Sequence, residues 1–400
     1  MLGFRLPTHV HLASGAVDRL PEALASLDGA SADAPIRALL VTDAGLRATP
    51  LVDRVLTRLA EAPACGAVTV FDAVEANPRT TTAEAAAVVA RADDCGAVIA
   101  LGGGSVLDAA KGAALLARND GDAADYVDRR TFDRAPLPLI AVPTTCGTGS
   151  EVTWVSVLTE PDADRNDRTG RKISVKGQAL FPAHALVDPD LLITLPPRLI
   201  ATTGLDALTH ALEAITGRRA NPVSDALAAQ AIALLFDHLP RAVRDIANDA
   251  EARFQTMRAS TLAGIAFGNA DVAGVHCLSE ALGGRFDVPH GLANALLLRP
   301  ILAHHRPTID PVLAHLADTL LPEVTIAEPP LDEREQADAF FGFLDAFLNS
   351  FRLPKLGELG VPSEAFDEIA ALAEANGSNP SNPTPMRAAD YRAVLDALTA

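Results

Sequence analysis

The chain has 400 residues, 49% hydrophobic and 21% charged, which excludes a disordered or fibrous protein and allows two domains or one large one with a sizeable core. Acidic residues outnumber basic ones 51 to 33, and the formal charge of −18 makes nucleic acid and anionic membrane poor partners. No run reaches the roughly 18 uninterrupted apolar residues of a membrane span. The segment Met1 to Pro7 lacks a signal-peptide core, so a cytoplasmic protein is expected.

Apolar, β-rich runs at 38–42, 67–71, 96–101 and 137–142 alternate with alanine-rich stretches of helical spacing such as 82–92. Continuous apolar strands alternating with helices predict a parallel sheet covered on both faces. A shorter β-rich stretch follows at 173–175 and 185–188. Beyond Pro196-Pro197 the pattern changes to long alanine- and leucine-rich helical segments, 203–216, 222–239, 251–267 and 340–351, with hardly a strand-like run. The expected fold is therefore an α/β, Rossmann-like parallel-sheet domain over 1–192 followed by an all-α domain over 193–400. The polar run 376–383 reads as a loop before a last short helix, and there is no internal repeat.

Two loops follow predicted strands. In Gly102-Gly103-Gly104-Ser105 the glycines let a backbone approach a ligand, and the free N–H groups of the helix that follows favour an anion; the same glycines would also serve a plain tight turn. Neither G-x-G-x-x-G nor a Walker A loop is present. Thr144-Thr145-Cys146-Gly147-Thr148-Gly149-Ser150 offers hydroxyls suited to phosphate or ribose, or to capping a helix. Two such loops at strand ends in one parallel sheet mark a ligand crevice. Asp43 ends the run 38–42, where a carboxylate can bind an adenosine ribose and repel a 2′-phosphate, or simply cap the next helix.

Four cysteines without a Cys-x-x-Cys pair argue against a disulfide framework and a thiolate zinc site, whereas ten histidines leave a nitrogen-ligated metal open. Asp206 and His210 stand at i, i+4 on one helix face, close enough to share a cation or a hydrogen bond. His276 opens a helical run expected to stop at Gly283-Gly284, and His290 follows in a turn fixed by Pro289 and Gly291. One carboxylate and three imidazoles suit Fe(II) or Zn(II) and leave room for a water or substrate oxygen.

Together these segments resemble the iron-containing (group III) alcohol dehydrogenase family, with its dehydroquinate-synthase-like fold, from Ser14-Gly15-Ala16 to Asn379-Pro380. The resemblance implies NAD as cofactor and a divalent metal, most often Fe(II) and sometimes Zn(II), held between the domains by Asp206, His210, His276 and His290. It implies a diphosphate loop at Gly102, Gly103, Gly104 and Ser105 with Asp108 and Lys111. Thr144, Thr145 and Thr148 would line the adenine and ribose side, Asp43 would favour NAD, and Asn77 and Lys172 would sit in the cofactor pocket. A small alcohol or aldehyde is the implied substrate, and a homodimer or larger homo-oligomer the implied assembly.

One position departs from the pattern. Many members carry a further histidine one turn after the third ligand, where this chain has Glu280. Glu280 could bind a polar or cationic substrate group, relay a proton as a catalytic residue, or orient His276. A dehydroquinate-synthase-like lyase is disfavoured by the lysine-poor ligand segments, and a metal-free maleylacetate-reductase-like enzyme by retention of the aspartate and all three histidines. Trp154 and Phe267 could be pocket wall or core, and Arg285 and Arg299 could select an acidic substrate or lie on the surface.

Overall fold

The computed structural model describes residues 3–127, 129, 131–162 and 166–399. Met1, Leu2 and Ala400, on which the signal-peptide reading and the outer limits of the two expected domains fall, lie outside the described residues. The first half holds strands β1 (His9–Leu12), β2 (Ile36–Val41), β3 (Cys65–Phe71), β4 (Ala97–Gly102), β5 (Leu139–Pro143), β6 (Val155–Asp162), β7 (Asn166–Lys176) and β8 (His184–Val187). Its helices are α1 (Leu20–Ala25), α2 (Ala44–Arg47), α3 (Pro50–Ala60), α4 (Thr80–Ala92) and α5 (Gly104–Leu116).

Six strands make one parallel sheet in the order β1-β8-β5-β4-β2-β3, as the continuous apolar runs require. The alternation of side chains explains the double burial. Leu39, Val41, Val98 and Ala100 face one core with α4 and α5, whereas Ala38, Leu40, Ala97, Ile99 and Leu101 face the other with α1 and α3. Strand order turns back between β2 and β4, and in open α/β sheets ligands bind outside the carboxyl ends at such a point.

The stretch at 173–175 is not part of that sheet. It belongs to β7, which pairs antiparallel with β6 in a separate ribbon, Leu158 opposite Ile173. β1 and β6 were not among the expected strands; β1 is four residues long and only partly buried, so its sequence carries little apolar signal.

The second half is helical among the described residues: α6 (Pro197–Thr216), α7 (Pro222–Asp245), α8 (Ala250–Ala270), α9 (Gly274–Phe286), α10 (His290–His304), α11 (Asp310–Leu320), α12 (Pro322–Thr325), α13 (Glu333–Ser350), α14 (Phe366–Ala375) and α15 (Ala388–Thr399). α6 is buried all round from Leu205 to Thr216, which makes it the central helix of this half. No described helix is long and apolar enough to cross a membrane.

Two expectations are corrected here. Gly283-Gly284 does not stop α9, which continues to Phe286. A Cβ on Gly284 would stand 3.0 Å from the Gly170 carbonyl oxygen, so these glycines let α9 lie against β7. His290 is not in a turn but is the first residue of α10, after Pro289 at the N-cap. Close backbone approach also joins the halves. A Cβ on Gly147 would fall 2.6 Å from the Thr203 carbonyl oxygen, and one on Gly291 would fall 2.4 Å from that of Thr202. Bare glycine thus brings the loop after β5 and the start of α10 onto the same turn of α6.

Candidate active site

The glycine-rich loop leads from β4, next to the point where strand order reverses, into α5. Gly103 is the N-cap of this 13-residue helix and no side chain caps it, so its first N–H groups remain available to an anion. The second loop packs on the first. A Cβ on Gly103 would meet the Thr145 methyl at 3.0 Å and one on Gly104 the Thr148 methyl at 2.4 Å, and the Thr144 N–H donates to the Gly102 carbonyl at 3.0 Å. Asp108 accepts from the Ser150 hydroxyl at 2.7 Å, and Lys111 donates to the Ser150 hydroxyl at 2.8 Å, the Thr153 hydroxyl at 3.1 Å and the Val155 carbonyl at 2.8 Å. Burial raises the Asp108 carboxyl and lowers Lys111 to about 8, and through the shared Ser150 hydroxyl the two brace the loops from within. Asp43 caps α2, accepting from the Leu46 N–H at 2.9 Å.

One cavity of about 350 Å³ runs from Gly104, Ser105 and Thr148 past Asn77 and Lys172 to His210, His276, Glu280 and His290. Asp108 lines it, whereas Asp43, Gly102, Gly103, Thr144 and Thr145 are not among its lining residues. Trp154 and Phe267 are both cavity wall. Lys172 donates to Asn77 Oδ1 at 2.8 Å, and Asn77 Nδ2 donates to Asp287 Oδ1 at 2.6 Å, which ties β7 and the loop before α4 to the end of α9. Burial lowers Lys172 to about 8 against the pull of Glu280 and Asp108.

At the helical end, Asp206, His276 and His290 present ligand atoms within 4.8 Å of one another. Asp206 Oδ1 is 3.8 Å from His276 Nε2, 3.6 Å from His290 Nε2 and 3.9 Å from His210 Nδ1. His210 stands just outside the tight group, stacked between Phe267 at 4.1 Å and His276 at 4.4 Å between ring centroids. Its Nδ1 is buried without a hydrogen-bond partner. An orphaned imidazole nitrogen facing a buried carboxylate and two further imidazoles fits a divalent ion with nitrogen and oxygen ligands. Burial lowers His210 well below its ordinary value and His290 to about 3, leaving neutral rings with lone pairs to give. For His276 burial also favours the neutral ring, but the carboxylates of Glu213, Asp206 and Glu280 together outweigh it and the net direction is up.

Glu213 was not among the expected site residues. Its Oε2 lies 2.5 Å from His276 Nδ1, and its carboxylate also accepts from the N–H groups of Ala273 at 3.0 Å and Val275 at 2.7 Å. A carboxylate on Nδ1 turns Nε2 toward a metal. Orientation of His276, considered above for Glu280, therefore belongs to Glu213. Glu280 instead faces the cavity and accepts from Asn376 Nδ2 at 2.7 Å. The polar loop 376–383 is a cavity wall, pinned where the Ser378 and Ser381 hydroxyls donate to Asp271 at 3.0 and 2.8 Å. The acidic-substrate reading of the two arginines fails, because Arg285 pairs with Asp162 at 3.2 Å and Arg299 with Asp345 at 2.9 Å. The spacing Glu213, three residues after His210, was the available signal.

A sheet whose ligand crevice opens on a carboxylate–imidazole cluster carried by a helical half defines a metal-centred α/β enzyme. Residues 7–189 match the family description "Iron-containing alcohol dehydrogenase", and residues 200–399 match "Fe-containing alcohol dehydrogenase family, C-terminal". The chain belongs to the iron-containing alcohol dehydrogenase family and is an oxidoreductase. It is 37% identical over 396 residues to long-chain-alcohol dehydrogenase 1 of Geobacillus thermodenitrificans, covering 98% of this chain and 95% of that one. A solved 1,3-propanediol oxidoreductase superposes over 100% of both chains with a TM-score of 0.91 and 33% identity. A sulfoacetaldehyde reductase from Bifidobacterium kashiwanohense, solved with NAD+, covers 100% of this chain and 99% of its own with a TM-score of 0.84 and 26% identity.

Proposed function

We propose that this enzyme interconverts a small alcohol and its aldehyde with NAD(H), using a divalent ion, Fe(II) before Zn(II), at Asp206, His210, His276 and His290. The observation that carries the reading is the single cavity joining an uncapped helix N-terminus to that cluster. A bound dinucleotide supplies the hydride acceptor or donor and a bound ion the Lewis acidity. The chain's own residues do the rest. Gly102, Gly103, Gly104 and Ser105 let the start of α5 hold a diphosphate by backbone N–H groups. Thr144, Thr145 and Thr148 shape that loop, and Asp108 braces it. Asn77 and Lys172 position the ribose nearer the cluster. Asp43, at the end of β2, disfavours a 2′-phosphate and so favours NAD. Phe267 and Trp154 exclude water, and Glu280, held by Asn376, is the catalytic group assigned to move the proton at the substrate end.

The proposal divides the chain into a cofactor domain over 1–192 and a metal domain over 193–400, and includes homo-oligomeric assembly in the cytoplasm. Four unpaired cysteines suit a reducing compartment. A panel of small aldehydes and ketoacids assayed for NADH and NADPH oxidation tests the reading. NADH consumption by an aldehyde is expected; consumption of neither cofactor with any substrate refutes it.

A further inference from the structure

The amide of Asn294 reaches the lone pairs that a metal would need. Asn294 lies one turn after His290 on α10, fully buried. Its Nδ2 is 2.6 Å from Asp206 Oδ1, 3.1 Å from His276 Nε2 and 3.2 Å from His290 Nε2. Exchanging the amide oxygen and nitrogen would set a carbonyl against the Asp206 carboxylate, so the nitrogen belongs on this side. An amide nitrogen carries two protons and cannot satisfy three acceptors at once. Its Oδ1 is buried without any hydrogen-bond partner. The amide is thus half satisfied, and its nitrogen stands within hydrogen-bond reach of the metal-facing atoms of three ligands.

The two imidazole ligands are held from behind by other groups, His290 Nδ1 lying 3.5 Å from the Ser279 hydroxyl. Glu213 holds His276 through Nδ1, and backbone N–H groups hold Glu213. His290 is fixed as the first residue of α10, whose Gly291 packs on α6. Asp206 sits within the buried length of α6, and its carboxylate accepts from Asn294. Removing Asn294 would therefore leave the His276 and His290 rings held as they are while freeing their lone pairs.

We infer that Asn294 competes with the metal ion for Asp206, His276 and His290, and so weakens ion binding and keeps the ion exchangeable. This rests on the metal-site reading above. By mass action, a contact that must be given up on loading stabilises only the unloaded protein, and its removal tightens binding.

The test is Zn(II) affinity measured by competition with a chromophoric chelator, for the unaltered chain and for Asn294→Ala and Asn294→Leu, alongside thermal unfolding with and without Zn(II). The inference expects both variants to bind Zn(II) tighter by about tenfold or more. Thermal unfolding should fall mainly without Zn(II), widening the gap between loaded and unloaded protein. Unchanged affinity, with both melting temperatures lowered alike, would make Asn294 an ordinary core amide and overturn the inference. Weaker binding in Asn294→Leu would make it a ligand or a positioning residue and overturn it equally. No Zn(II) binding by the unaltered chain would overturn the metal-site reading and this inference with it. If Asn294→Leu does not fold, Asn294→Ala decides by the same affinity.

Discussion

The two halves of the cavity do their work by opposite means. In the α/β half the ligand-facing surface is mostly backbone: uncapped N–H groups at the start of α5, where bare Gly103 and Gly104 let Thr145 and Thr148 of the second loop pack close. In the helical half it is made of side chains, one carboxylate and three imidazoles, supported from behind by Glu213. A dianion is met by a field spread over many peptide groups, whereas an ion with directional ligands needs particular atoms at particular places. The helical half should therefore fail when one side chain is deleted, and the α/β half when one is added.

The largest effect is expected for Asp206→Ala. Loss of the carboxylate that lies within 3.9 Å of all three histidines should lower the turnover rate by about 10³-fold or more, read as NADH oxidation. Glu213→Gln should weaken ion affinity by about 10- to 100-fold while excess metal restores most of the rate. Direct competition for the ion distinguishes this from simple destabilisation. In the other half, Gly104→Ala places a Cβ 2.4 Å from the Thr148 methyl, and about a tenfold rise in KM for NADH is expected with metal content unchanged. Ser105→Ala, which removes a hydroxyl from a backbone cradle, should change KM by only about twofold. An effect of Ser105→Ala as large as that of Gly104→Ala would break the comparison.

A smaller contrast is in pH dependence. His305, in the helical half, bonds Thr384 and Asn382, and burial lowers it to about 4 from 6.5. The unfolded chain then binds the proton first, so stability is present above pH 6.5 and is lost as pH falls toward 4. Between pH 7 and 6 this group alone costs about 0.7 kcal/mol. Urea unfolding of His305→Gln at the two pH values should show that much less pH dependence than the unaltered chain.

Much of this was legible in the sequence, for reasons that differ by region. β2, β4 and β5 are buried on both faces, so their apolar runs announced a parallel sheet. Asp206 and His210 share a helix face at i, i+4, and the short range of that rule made them visible. The β6–β7 ribbon was not legible as a separate sheet, because pairing partners such as Val155 and Lys176 are set by tertiary contact. Gly283-Gly284 misled for a related cause: glycine marks either a helix end or a close approach, and only the strand lying on α9 decides between them. Glu213 and Asn294 each lie within a turn of a ligand, yet which polar neighbour on a buried helix meets the site depends on how α6, α9 and α10 pack.

The central claim is that Asp206, His210, His276 and His290 hold one catalytic ion. Its most direct test is the metal content per chain of the unaltered protein and His276→Ala, determined together with the NADH-linked rate before and after chelation. The account predicts one Fe or Zn per unaltered chain, little in the variant, and a rate that falls with chelation and returns with added metal. A full rate from protein stripped of its metal would contradict it.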